Sequence, residues 1–445
     1  VLKKKILIWF VCLLAVVYTW LETDYEALGV FYFYALGLYV AIDLILIRRI
    51  HLLHVWQLAF NFIFLSEINT DSSLYFLDNI LFTVQFLCTA NILIILGYYT
   101  YSPKAKAKVK DKESTVNRLR RSTLIFLICL MLVYVGYTLP FAIKSFLFGR
   151  DFAMTDSSGG FVGSIIGALA HILPAAFAYY FMQLKTPRMI NAIIFSLPIW
   201  VLLFMIGTRF PLLFSVMGLV IVVLSLRQTK LTTKNYVYLF LAMGVLYGSS
   251  IFMKQLRSNF RDPTTVISID ENEMRLPRIA GNFGSNERVV EISSKLFTYY
   301  EHPDNKHQLG MGYAFILYFW VPRSVWPDKP TMAGHWFVRK IRVVSENYSA
   351  ALGFTGQFYI DFGYYGLIFI FLLGMLLRRG EFFFETYKRS KSFDLVVGAM
   401  FYPVIFFFVR SPLTALISFA GIFFFYFLIK KFFVKKYTAD TVMLE

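Results

Sequence analysis

Cysteine is nearly absent: Cys12, Cys88 and Cys129 are the only three in 445 residues, and each lies inside an apolar run. That excludes a disulfide framework and a Cys-based metal site. No HExxH pattern or Cys/His pairing occurs, and no P-loop, GxSxG or GxGxxG sits in the strand–helix context it would need. Charge is sparse as well. Charged residues make up 16% of the chain, against about 25% in soluble domains. Acidic residues are scarcest, 27 against 44 Lys and Arg. The main acids within apolar runs, Asp43 and Asp78, lie near the ends of those runs. There is no internal repeat or inverted pseudo-symmetry. Both absences disfavour a transporter, which needs charge at mid-membrane depth and often a duplicated fold.

What the chain does have is apolar length. It is 58% hydrophobic and 19% aromatic, in continuous runs near twenty residues rather than the ten-residue alternation of a membrane barrel. Twelve spans are predicted, at 6–21, 27–47, 50–66, 75–100, 123–148, 161–182, 189–206, 211–226, 236–253, 359–377, 394–409 and 413–433. The first follows Lys3, Lys4 and Lys5 with no small-residue cleavage site after it, and reads as a retained helix. The net charge of +17 does not signal nucleic acid, because the basic residues fall in short loops where they set topology. Lys3–Lys5, Arg48, Arg49 and the basic 101–122, 227–235 and 378–391 loops fall on one side with the C-terminal tail. The opposite short turns hold only Lys144, Arg150, Arg209 and Arg410. The expected fold is an all-α polytopic membrane protein of about twelve transmembrane helices, with both termini cytoplasmic and one large external loop. The 101–122 loop is a topogenic linker that also suits anionic membrane lipid.

Three regions follow: transmembrane helices over 1–253, the external loop over 254–358, and further helices with a cytoplasmic tail over 359–445. The loop is too long for a connector. It opens polar, with Asp270, Glu271 and Glu273. Residues 287–300 predict an amphipathic helix presenting Val290, Leu296, Phe297 and Tyr300. The nine apolar residues from Tyr313 to Val321 are too few to span, and predict a re-entrant or interfacial element ended by Pro322.

Arg209, Arg323 and Arg410 stand out because a cation in an outer turn opposes the topology signal. A guanidinium offers a planar fork of donors that fits phosphate oxygens, so the three suit a diphosphate. The alternative is that each caps a helix C-terminus or pairs with a carboxylate. His335 precedes an aromatic, basic helix and is the candidate general base, with Glu346 and Asp361 the carboxylate alternatives. Asp361 is expected to open the tenth helix, where it would also favour the dipole. His302 and His307 flank a polar turn and are expected to be solvated. Trp326, Trp336 and Tyr359 suit a sugar platform, with Lys329 as a donor to hydroxyls. The competing reading of the rings is an interfacial aromatic belt.

In these residues the chain resembles the bacterial Wzy-type oligosaccharide repeat-unit polymerases of O-antigen and capsule. The resemblance rests on the architecture, on GTR at 207–209, VPRSVWPDKP at 321–330 and GFTGQFYIDFG at 353–363, and on the arginine after the eleventh helix. Family members often carry an acid where this chain has Gln357. The resemblance implies a glycosyltransferase of the GT-C type in the bacterial cytoplasmic (inner) membrane, without metal or other cofactor and with its site facing outward. Its donor and acceptor would be undecaprenyl-diphosphate-linked oligosaccharides, and its partners a flippase and a Wzz-like chain-length co-polymerase. An O-antigen ligase, a flippase or other transporter, and a membrane acyltransferase are the rival readings.

Overall fold

The structure is a computed structural model. It describes residues 2–47, 49–70, 74–75, 77–102, 118–119, 121–148, 160–184, 187–206, 209–227, 288–321, 325–326, 328–340, 351–390 and 393–435. The ninth expected span, the acidic cluster at 270–273, Arg323, Glu346 and nearly all of the 101–122 linker lie outside the described residues.

The regular structure of the described residues is helical apart from a two-residue antiparallel ladder that pairs Arg118 with Lys435 and Leu119 with Val434. In chain order the helices are α1 (Leu2–Leu21), α2 (Tyr25–Ile47), α3 (Leu52–Phe60) and, after a π-turn at Asn61–Leu65, α4 (Ser66–Thr70). Next come α5 (Ile80–Thr100), α6 (Arg121–Phe148), α7 (Gly160–Met182), α8 (Met189–Ile206) and α9 (Arg209–Arg227). The shorter α10 (Val289–Glu301), α11 (Met311–Tyr318), α12 (Ala333–Lys340) and α13 (Gly353–Phe362) follow, then α14 (Gly366–Ser390), α15 (Asp394–Arg410) and α16 (Pro412–Phe433).

Among the described residues, seven helical stretches are long and apolar enough to cross a membrane, as a polytopic membrane protein requires. They are Tyr25–Ile47, Ile80–Thr100, Ser122–Leu147, Ile165–Met182, Met189–Ile206, Gly353–Thr386 and Pro412–Lys430. An α-helix satisfies its backbone polar groups internally, so such runs fold this way in lipid. Two expected spans differ in form. The third is not one helix over 50–66 but α3, the π-turn and α4, ending at Thr70. The tenth, expected over 359–377, begins earlier and is broken: α13 ends at Phe362, a 3-10 turn covers Gly363–Tyr365, and α14 starts at Gly366. Gly363 has φ +58, outside the helical range, and stops α13.

The chain forms two compact units. One comprises Val1–Ser102, Ser268–Arg379 and Ile405–Leu416; the other comprises Pro103–Ile267, Gly380–Val404 and Ile417–Glu445. In the second unit, α7 packs against α6, α8 and α9. Lys430 donates to Asp394 at 2.5 Å and to the Tyr426 hydroxyl at 2.8 Å, and Tyr426 donates to Asp394 in turn.

In the first unit α1 and α2 pack on α5. Where both surroundings are apolar, helices associate by close packing and polar contacts rather than by burial from water. Gln57 and Asn91 exchange amide hydrogen bonds between α3 and α5, at 2.8 and 3.3 Å, and the Trp56 indole N–H donates to Asn91 at 3.0 Å. Near the end of α2, His54 Nδ1 accepts the His51 backbone N–H at 3.2 Å. That leaves Nε2 to donate to Asp43 at 2.6 Å. Gly97 of α5 and Gly374 of α14 allow the two backbones to touch: a Cβ on either would strike the other helix's main chain, Phe371 in one case and Ile94 in the other. Gly374→Val is therefore expected to destabilise the protein by about 1–3 kcal/mol through overpacking, read as a lower melting temperature in detergent. Gly136→Val, whose Cβ meets open space, is expected to leave the melting temperature nearly unchanged.

Candidate functional site

The first unit joins the short helices of the expected outer segment to membrane helices. The amphipathic helix predicted at 287–300 is α10, and Val290, Leu296, Phe297 and Tyr300 are buried as its spacing predicts. Leu296, Phe297 and Tyr300 pack with Phe86 of α5, Phe337 and Val338 of α12, and Tyr359 and Ile360 of α13. Phe297 meets Tyr359 edge-on at 4.4 Å and Phe86 at 5.1 Å. Such pairs are worth about 0.5–1.5 kcal/mol beyond the area they bury.

Two buried carboxylates set the N-termini of these short helices. Glu67 of α4, 1% exposed, accepts the backbone N–H of Val290 at 3.0 Å and of Glu291 at 3.1 Å, in the first turn of α10. Asp361 of α13, 0% exposed, accepts the N–H of Gly312 at 2.8 Å, in the first turn of α11. The N–H groups of Gly310 and Tyr313 also bond to it. First-turn N–H groups have no partner inside their helix and favour an anion. Asp361 thus does not open a helix as expected. It lies in the last turn of α13 and serves the dipole of α11, 49 residues away in sequence. Gly312 permits the approach: a Cβ there would lie 2.6 Å from Asp361 Oδ2 and 2.5 Å from Gln357 Nε2.

Gln357 Nε2 donates to Asp361 Oδ2 at 2.9 Å. Gln357 also lines a small cleft of about 40 Å³, together with Met332 and Gly334 at the start of α12 and Ser411 and Thr414 at the α15–α16 turn. That space holds a few water-sized groups. Three distant stretches meet there: the residue before His335, the GFTGQFYIDFG stretch, and the turn directly after Arg410. His335 is half-buried on α12. Arg410 ends α15 with its guanidinium 5.4 Å over the Phe407 ring, at the helix end whose dipole favours a cation.

The other expected site residues are placed as follows. Arg209 is the first residue of α9, the end at which the dipole disfavours a cation. Arg323 lies outside the described residues. Lys329 turns back to cap α11, its ammonium donating to the carbonyls of Phe319 at 3.1 Å and Val321 at 2.8 Å. Trp326 is 40% exposed and lies 5.4 Å from the Tyr318 ring. Trp336 is half-buried, edge-on to Tyr299 at 6.1 Å. Tyr359 is enclosed among Phe86, Phe297, Tyr300 and Tyr364, at 5% exposure. Of the three expected sugar platforms, Trp326 has an open face and Tyr359 does not.

His307 differs from expectation. Its ring stacks on Tyr300 at 4.4 Å and 16° and meets Tyr359 edge-on at 5.3 Å, and its Nδ1 is buried with no hydrogen-bond partner. The Tyr300 hydroxyl is likewise buried and unpartnered. Burial, then Tyr299 and Asp361, holds that phenol well above its usual range, so it remains a protonated donor. The EHPDNKH run reads as a polar turn from composition, and nothing local marks the one histidine that folds inward. Searches against protein family models, curated proteins and solved structures find no match to the chain.

Gly363 makes the seat for this ring. Its φ is +58, and a Cβ would lie 2.7 Å from His307 Nε2. Gly363→Ala is expected to cost about 1–3 kcal/mol from the backbone conformation and more from displacing the imidazole, measured by thermal unfolding in detergent. Adding His307→Ala is expected to recover the second part only.

Proposed function

We propose that the chain is a glycosyltransferase that polymerises polyprenyl-diphosphate-linked oligosaccharide repeat units at the outer face of the bacterial cytoplasmic membrane. In this reading both termini are cytoplasmic and about twelve spans frame the site. The working partners are a flippase, a chain-length co-polymerase and two lipid-linked glycans. The observation that carries the reading is the cleft where the start of α12, Gln357 and the turn after Arg410 converge. It is lined by Gln357 and by the immediate sequence neighbours of His335 and Arg410, from three separate stretches.

In the reaction, a terminal hydroxyl of one lipid-linked repeat attacks the anomeric carbon of the growing chain, whose polyprenyl diphosphate departs. His335 takes the hydroxyl proton. Asp361 is the weaker candidate for that step, because it is fully buried and its oxygens already accept several N–H groups. It acts by positioning. Arg410, with Arg209 and Arg323, stabilises charge on the departing diphosphate, commonly the larger contribution to such catalysis. Trp326 supports the glycan by stacking.

Arg209→Ala, Arg323→Ala and Arg410→Ala are each expected to lower polymerisation by about 10²–10³-fold, by analogy with the loss of one oxyanion donor, while the protein still inserts. A polysaccharide gel of a deletion strain complemented with each variant checks this. Loss of the polymer ladder with single repeats still exported supports a polymerase. Loss of all transferred glycan indicates a ligase, and an intact ladder in the deletion strain refutes both.

A further inference from the structure

We propose that Gln357 is the residue that recognises the acceptor sugar, its amide oxygen taking a hydrogen bond from a hydroxyl of the incoming repeat unit. The proposal rests on the polymerase reading and assigns a specificity-determining role within it. Gln357 is 3% exposed, yet it forms part of the cleft wall. The direction of its amide is set by its neighbour. Asp361 Oδ1 accepts the Gly312 N–H at 2.8 Å, and Oδ2 accepts the Gln357 amide N–H at 2.9 Å. Oε1 is then the free end: it accepts no hydrogen bond from a described residue and is not among the sealed polar atoms.

The cleft thus presents a neutral hydrogen-bond acceptor held in place from behind, which suits an uncharged hydrogen-bond donor. The Ser411 and Thr414 hydroxyls, 2.8 Å apart on the same wall, serve as either donor or acceptor and complete a site for hydroxyls. A space of about 40 Å³ admits a hydroxyl or hydroxymethyl group rather than a whole ring.

The test uses the full chain in nanodiscs, with synthetic polyprenyl-diphosphate-linked repeats in which donor and acceptor carry different labels. Gln357→Leu is expected to raise the acceptor KM at least tenfold while the donor KM stays within twofold. Gln357→Glu keeps an oxygen at the cleft but places a second carboxyl beside Asp361. When protonated it donates to Asp361 and mimics the amide. When ionised it presents an anion. Its acceptor KM is therefore expected to fall towards the wild-type value as pH is lowered from 8 to 6, with no such trend for Gln357→Leu. An unchanged acceptor KM in Gln357→Leu, equal rises for donor and acceptor, or no pH trend in Gln357→Glu overturns the proposal while leaving the polymerase reading intact. A wild-type protein that joins no lipid-linked repeats overturns both.

Discussion

A buried carboxylate facing the open end of a helix is the interaction on which the first unit depends. It occurs twice, at Glu67 on α10 and at Asp361 on α11. An isolated buried charge is costly, and so is a helix end without partners. Brought together, each removes the other's penalty, and hydrogen bonds to ionised groups are worth about 1.5–3 kcal/mol. The pairing also fixes geometry. α11 has only eight residues, too few to hold a place by helix propensity alone. Its position is set by Asp361 at one end and Lys329 on the carbonyls at the other.

The cleft inherits its order from the same bond. Asp361 orients Gln357, and α13, which carries both, is held at its start by Phe354 edge-on to Trp56 at 4.8 Å. Gly353, at φ +67, leaves room there for the Phe64 ring. The far wall of the cleft is the α15–α16 turn, where Ser411 pairs with Thr414. The polar groups facing the cleft thus sit on elements locked by packing behind them, as a site needs if it is to discriminate by single hydrogen bonds.

Periodicity and run length carry most of the helical frame. Among the described residues, most apolar runs are helices near the expected bounds, and the 3.6-residue spacing of Val290, Leu296, Phe297 and Tyr300 marked the buried face of α10 correctly. What local reading cannot supply is partnership across distance. Asp361 has the composition of a helix start, but its partner is a backbone N–H in another helix. His307 sits among Glu, Asp, Asn and Lys, and only the fold shows that Gly363 leaves it space against Tyr300. The GFTGQFYIDFG stretch was legible as unusual, yet its break at Gly363 was not, because glycine is also common within membrane helices. Of the expected site residues, Tyr359 belongs to the core and Lys329 to a cap, and the cleft is lined by sequence neighbours of His335 and Arg410 rather than by those two residues.

The carboxylates of this chain divide by the kind of partner that neutralises them, and that division bears on the chemistry. Asp394 meets Lys430, and Asp43 meets His54, so these acids are matched by side chains that carry or can take a positive charge. Glu67 and Asp361 are matched by backbone N–H dipoles. Gln357 stands between Asp361 and the cleft, giving its N–H to Asp361 and only a dipole to the cleft. An acid in its place would put two carboxylates within hydrogen-bond distance, and like charges that close cannot both ionise. The amide at 357 therefore gives Asp361 a partner that stays neutral at any pH and leaves its own oxygen to the cleft.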